Sequence, residues 1–183
     1  MKKHIILYRP FLLFLAVFFT TYIVLTFLYQ GYLNSFNENE VDTITKVVGQ
    51  NTEQLSQFFG VDVSIKHNQS ESYVQLYYKQ RYIARIVEGC NAISLIILFV
   101  SFVASFSGKL KPTLLFILGG SLVVFLLNII RIATLSVLMY HFPEYEHFLH
   151  GVVFPLFIYG VVFFLWGLWV IKFSSYVNNA AQT

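Results

Sequence analysis

At 183 residues, 57% hydrophobic and only 11% charged, this chain is far too apolar for an ordinary soluble domain, where about a quarter of residues carry charge. Its mean hydropathy of +0.66 points to the bilayer. A net charge of +3 without a basic block argues against a nucleic-acid partner, and one cysteine leaves no internal disulfide.

The first apolar run covers residues 11–29, long enough for about 30 Å of hydrocarbon. It is longer than a signal-peptide core and no A-x-A site follows, so residues 1–29 read as a retained transmembrane helix. Residues 30–88 differ. After a polar link, Val41, Ile44, Val47, Val48, Leu55, Phe58 and Phe59 recur at helical spacing. Residues 61–65 then alternate, and 73–78 and 81–86 read as a strand pair about Lys79-Gln80. The triplet Asn68-Gln69-Ser70 matches a glycosylation sequon, a pattern common by chance, between turn-like residues. Three further apolar runs follow at 91–106, 113–139 and 151–171, broken at 107–112 and 140–150. The expected fold is mainly α: a polytopic membrane protein with four transmembrane helices and a small α+β extracytoplasmic insertion at 30–88. Residues 89–173 form a three-helix membrane core, and 174–183 a cytoplasmic tail.

Charge sets the orientation. In a four-span arrangement Lys2, Lys3, Arg9, Lys109, Lys111 and Lys172 share one side, and all nine acids lie on the other. Basic residues near span ends mark the cytoplasm. Both termini are therefore expected inside, and 30–88 and 140–150 outside. Lys46, Lys66, Lys79, Arg81 and Arg85 run against the rule, but in a longer folded segment where it is weaker.

This arrangement brings distant residues together. Cys90 is expected to begin the second helix at its outer end, with Ser94 one turn below. About 18 residues of helix from Thr113 rise about 27 Å, which returns Arg131 to the depth of Cys90. Asn128 shares the helix face of Arg131. His147 and His150 start the last helix on the same side. A thiolate is the reactive form of cysteine, and a nearby cation favours it. The guanidinium could serve there or on the oxyanion of an acyl intermediate, and an imidazole could move the proton. Together they would make a thiol acyl-transfer site. Bland readings compete: an inert cysteine, or Arg131 snorkelling or paired structurally with Glu88. Two functional alternatives stand beside catalysis. One is a non-enzymatic subunit of an export or surface-assembly complex that binds partners through 30–88. The other is a metal or haem protein using His141, His147 and His150.

Glu88-Gly89-Cys90-Asn91-Ala92 before an apolar run, Asn128-Ile129-Ile130-Arg131-Ile132, and a histidine before the last helix together resemble the exosortase/archaeosortase family. The small size is similar to the short F-type exosortases of Bacteroidetes. His150-Gly151-Val152-Val153-Phe154-Pro155 and Ile158-Tyr159-Gly160 extend the likeness, which covers about residues 86–171. The resemblance implies an inner-membrane cysteine protease or transpeptidase with its site facing the periplasm or exterior. Its substrates would be exported proteins whose C-terminal sorting signal combines a short motif, a transmembrane helix and a basic tail. The acceptor would be an amine on a surface lipid or glycan, with no cofactor or metal. It further implies Cys90 as nucleophile, Arg131 as polarising or oxyanion residue and His150 as acid/base, with His147 in reserve and Asn128, Glu88 and Asn91 supporting. The chain has fewer spans than the larger members, and its insertion between helices one and two is a departure bearing on substrate recognition.

Overall fold

The computed structural model of the chain describes residues 2–37, 39–67, 71–106 and 108–172; the triplet at 68–70 and the tail at 174–183 lie outside them. In chain order the elements are α1 (Lys2–Leu33), α2 (Thr43–Phe58), β1 (Val63–His67), β2 (Val74–Tyr78), β3 (Arg81–Ile86), a 3-10 turn (Glu88–Cys90), α3 (Ile93–Ser105) and α4 (Leu110–His141). A second 3-10 turn (Pro143–Tyr145), the single-turn α5 (Glu146–Phe148), a π-helical turn (Leu149–Val153) and α6 (Phe154–Lys172) complete it.

Among the described residues, three stretches are long and apolar enough to cross a membrane: Tyr8–Leu33, Leu110–His141 and Pro143–Lys172. The run at 91–106, expected to supply a fourth transmembrane helix, yields the 13-residue α3. That is about 20 Å of helix against about 30 Å of hydrocarbon. Its N-terminal side is lost to the 3-10 turn and to Ala92, whose φ of 68° is left-handed and breaks the helix. At the other end Phe106 is already extended. Cys90 therefore does not begin this helix; it closes the turn before it, and Ser94 is not one helical turn below it. The outer loop expected at 140–150 is also largely helical, joining the last apolar run in one 30-residue stretch.

Within the insertion, Asp42 caps α2 by accepting the Thr45 N–H at 2.9 Å, and Gly60 at φ 72° ends it. The buried stripe of α2 is Thr45, Val48, Gly49, Thr52 and Ser56, whereas Val47, Phe58 and Phe59 stay exposed. Small residues are needed because β2 comes close: a Cβ on Gly49 would meet Val74 Cγ1 at 3.2 Å. The Thr52 and Ser56 hydroxyls are satisfied by carbonyls one turn back, at 2.8 Å each.

The sheet is antiparallel in the order β1-β2-β3, one strand more than the hairpin alone. Lys79 and Gln80 both have positive φ, the geometry that lets a two-residue turn follow the strand twist. Pairing passes from Leu76↔Ala84 to Tyr77↔Tyr82, which leaves Ile83 as a bulge.

The core of this insertion is completed from outside it. Val48, Val63, Val74, Leu76 and Ile86 share a buried cluster with Ile132 of α4, and Phe125, Val137 and Tyr140 pack against its rim. A second cluster joins α3, α4 and α6 around Phe99, Val103, Val124, Val162 and Trp169. Helix α4 thus carries one core at each end. Its 32 residues measure about 48 Å, so the part beyond Arg131 exceeds what a bilayer needs.

Candidate active site

Four segments build the site. The first is the 3-10 turn, closed by Cys90 N–H to Val87 C=O at 2.8 Å and Asn91 N–H to Glu88 C=O at 3.3 Å. It presents Cys90 half-buried. Asn91, 1% exposed, anchors the start of α3. Its Oδ1 accepts the Ile93 N–H at 3.0 Å, which covers an unpaired donor in the first turn of that helix. Its Nδ2 donates to Tyr29 Oη of α1 at 2.8 Å and to Thr45 Oγ1 of α2 at 3.2 Å. One amide therefore ties three helices to the residue beside Cys90.

The second segment is α4. Asn128, also 1% exposed, donates its Nδ2 to the Cys90 carbonyl at 2.7 Å. This bond sets the height of the cysteine on α4, three residues from Arg131, close to the depth expected from sequence. The Arg131 Nε is buried and has no hydrogen-bond partner among the described residues. The expected alternative of an Arg131–Glu88 ion pair is absent among the described residues, where the ion pair is Lys46–Glu40. A buried guanidinium N–H without an acceptor costs about 1–3 kcal/mol or more.

The third segment is β3 and the fourth is the helical stretch before α6. Between them and α4 lies a cavity of about 470 Å³ whose walls include Cys90, Arg131 and His150. Thus the three residues assigned to nucleophile, cation and acid/base face one space. Glu146 lines it too; it lies four positions before His150, a spacing at which two residues share a helix face. That spacing was the available signal for Glu146, which the charge pattern alone treats as one more outer acid. His147 is exposed and is not among the lining residues, nor are Glu88 and Asn91. Arg131 also borders a second cavity of about 350 Å³, with Gly89, Ala92, Ser94 and Asn128. It therefore forms part of the partition between the two spaces.

Among the described residues, no three of His, Cys, Asp and Glu are grouped as metal ligands would be. His141 instead packs its ring near those of Tyr78 and Tyr140. The chemistry on offer is a thiol, an imidazole and a guanidinium with its Nε–H unpaired among the described residues, around one space. That set suits attack on a carbonyl carbon and stabilisation of the resulting oxyanion.

Residues 7–173 match the family model described as transmembrane exosortase (Exosortase_EpsH). No curated protein and no solved structure matches the chain.

Proposed function

The chain belongs to the transmembrane exosortase family, and from that premise we propose that it is a cysteine transpeptidase processing C-terminal sorting signals of exported proteins. The observation that carries this reading is the convergence of Cys90, Arg131 and His150, from three separate segments, on one cavity.

The site faces the periplasm or exterior, with both termini in the cytoplasm. Lys109 and Lys111 at the start of α4, and Lys172 at the end of α6, sit where cytoplasmic ends collect basic residues. The chain crosses four times although α3 is short. Phe106 and Lys109, on either side of the inner turn, are both extended, a form that covers more than twice the rise of helix per residue. Residues 30–88 form an outer insertion over a membrane core at 89–173.

In the reaction His150 takes the proton from Cys90 Sγ, and the sulfur attacks the carbonyl carbon of the scissile peptide bond. Arg131 faces the oxyanion that forms, and its orphan N–H gains an acceptor at that moment. Collapse breaks the C–N bond. The leaving amine, on the cargo's membrane helix, takes the proton from His150, and the mature protein stays as a thioester on Cys90. An amine on a surface lipid or glycan, deprotonated by His150, then attacks the thioester. The C–S bond breaks and the Cys90 thiolate recovers its proton. Asn128 and Asn91 position the nucleophile by fixing its turn.

The test is to map the C-termini of exported proteins in cells holding the wild type or Cys90→Ala at equal abundance. A set of proteins that keeps a terminal apolar helix and basic tail in the variant alone is the expected result. Identical C-termini in both would make Cys90 structural and leave a non-enzymatic subunit of a surface-assembly complex.

A further inference from the structure

A three-stranded sheet has two outer edges, and here they are treated differently. The β1 edge is covered. Helix α2 packs on it, and the Ile65 N–H donates to the Glu53 carboxylate of α2 at 3.2 Å. The exposed end of the strand carries Lys66 and His67. Coverage and charge are how natural sheets prevent further strand pairing. The β3 edge pairs with β2 on one side and with no strand on the other. Among the described residues no backbone hydrogen bond closes its outer row.

That open row faces the Cys90 cavity. Every residue from 82 to 87 lines it. A cavity lying over a sheet face would be lined by alternate residues, because successive side chains point to opposite faces. Consecutive lining puts the space along the edge, from which it also reaches the sheet face at Leu76 of β2. The strand also has the right reach. At its hairpin end Tyr78 meets Tyr140 of α4 with ring centroids 4.9 Å apart. At its other end it leads to Cys90, held by Asn128. These two points on α4 are about 18 Å apart. The six residues of β3 span about 20 Å. The strand therefore descends alongside α4 to the nucleophile.

We infer that the open edge of β3 is the substrate-docking strand: the extended cargo segment on the N-terminal side of the scissile bond adds to it as a fourth, parallel strand. This rests on the reading of Cys90 as a processing nucleophile. The parallel direction comes from topology. A cargo chain runs from its exported part toward its membrane helix, and β3 runs the same way toward Cys90. Main-chain hydrogen bonds hold the segment whatever its sequence, and alternate side chains meet the α4 wall at Leu135 and Met139, where they can be selected. Specificity would therefore be strict at every second position and loose between them.

Disulfide trapping in native membranes tests this with the full-length chain. The background is Cys90→Ala, and the probe is a cargo protein found to keep its C-terminal helix in that background. Ala84→Cys and Arg85→Cys are made separately, and single cysteines are scanned through the cargo segment. Ala84→Cys is expected to trap alternate cargo positions. Arg85→Cys should trap the other alternate set, with its strongest position about one residue nearer the cargo's C-terminus. Arg85 is exposed, so that variant folds even if Ala84→Cys does not. Ser64→Cys on the covered β1 edge should trap nothing. A three-to-four-residue period, a flat profile, a shift in the opposite direction or no trapping overturns the docking strand and leaves the catalytic reading standing. If no protein keeps its C-terminal helix in Cys90→Ala cells, the catalytic reading itself fails and the docking strand falls with it.

Discussion

The two ends of α4 are built on different principles. At the end near Leu110 the core is aromatic and closed. Phe102 stacks on Trp166 at 4.1 Å between centroids, Phe116 lies 5.0 Å from Trp169, and Phe99 presses against Gly120. The serine hydroxyls there, Ser101 and Ser105, are satisfied within α3 itself. At the end near His141 the apolar cluster around Ile132 is joined by polar, long-range contacts: Asn91 reaches Tyr29 and Thr45, and Asn128 reaches Cys90. That end keeps an open cavity and an unsatisfied guanidinium N–H. Among the described residues each end keeps a buried N–H without a hydrogen-bond partner, Trp166 Nε1 in the aromatic core and Arg131 Nε at the other end, but it is Arg131 that borders an open cavity, where a ligand could meet the demand.

The sharpest way to break this contrast is Arg131→Gln. If the guanidinium acts on the oxyanion, processing should fall about 10²–10³-fold while the thermal midpoint in detergent does not drop. A large drop would make Arg131 structural and the two ends alike. His150→Ala should follow, with a loss of about 10²-fold or more in processing rate, against less than about twofold for His147→Ala, outside the cavity lining. The reverse ranking would mean that the acid/base approaches from outside the cavity.

At the closed end, Gly120→Val drives a side chain into the Phe99 ring and should cost about 1–3 kcal/mol in chemical denaturation. Processing per folded molecule should be unchanged. The smallest expected effect is Asn128→Leu, which strands the Cys90 carbonyl. It should lower stability by about 1–2 kcal/mol and slow processing, with the rate and not the cargo affinity affected. Equal effects of Gly120→Val and Asn128→Leu on rate would erase the distinction between a scaffold end and a positioning end.

Much of this protein is decided by the sequence alone. Helices α1, α4 and α6 were legible because some twenty apolar residues leave a chain few places other than a bilayer. The β2–β3 hairpin was legible from alternation on either side of Lys79-Gln80. The depth match of Cys90 and Arg131 was legible because helix rise is constant and α4 has no break between Leu110 and His141. The tertiary structure decided the rest. Helix α2 has the predicted period but buries its small residues, because Val74 approaches Gly49 too closely for anything larger. The helix after Cys90 is shortened because Ala92 turns left-handed, a backbone choice that Asn91 holds through partners 46 and 62 residues away. The sequence left His147 and His150 both in play, since they differ by less than one helical turn. Which of them faces the cavity depends on how the helix ahead of α6 is wound, and that winding passes through a π-helical turn at Leu149–Val153. Local spacing carries depth and period, but rotation about a helix axis is set by what packs against it.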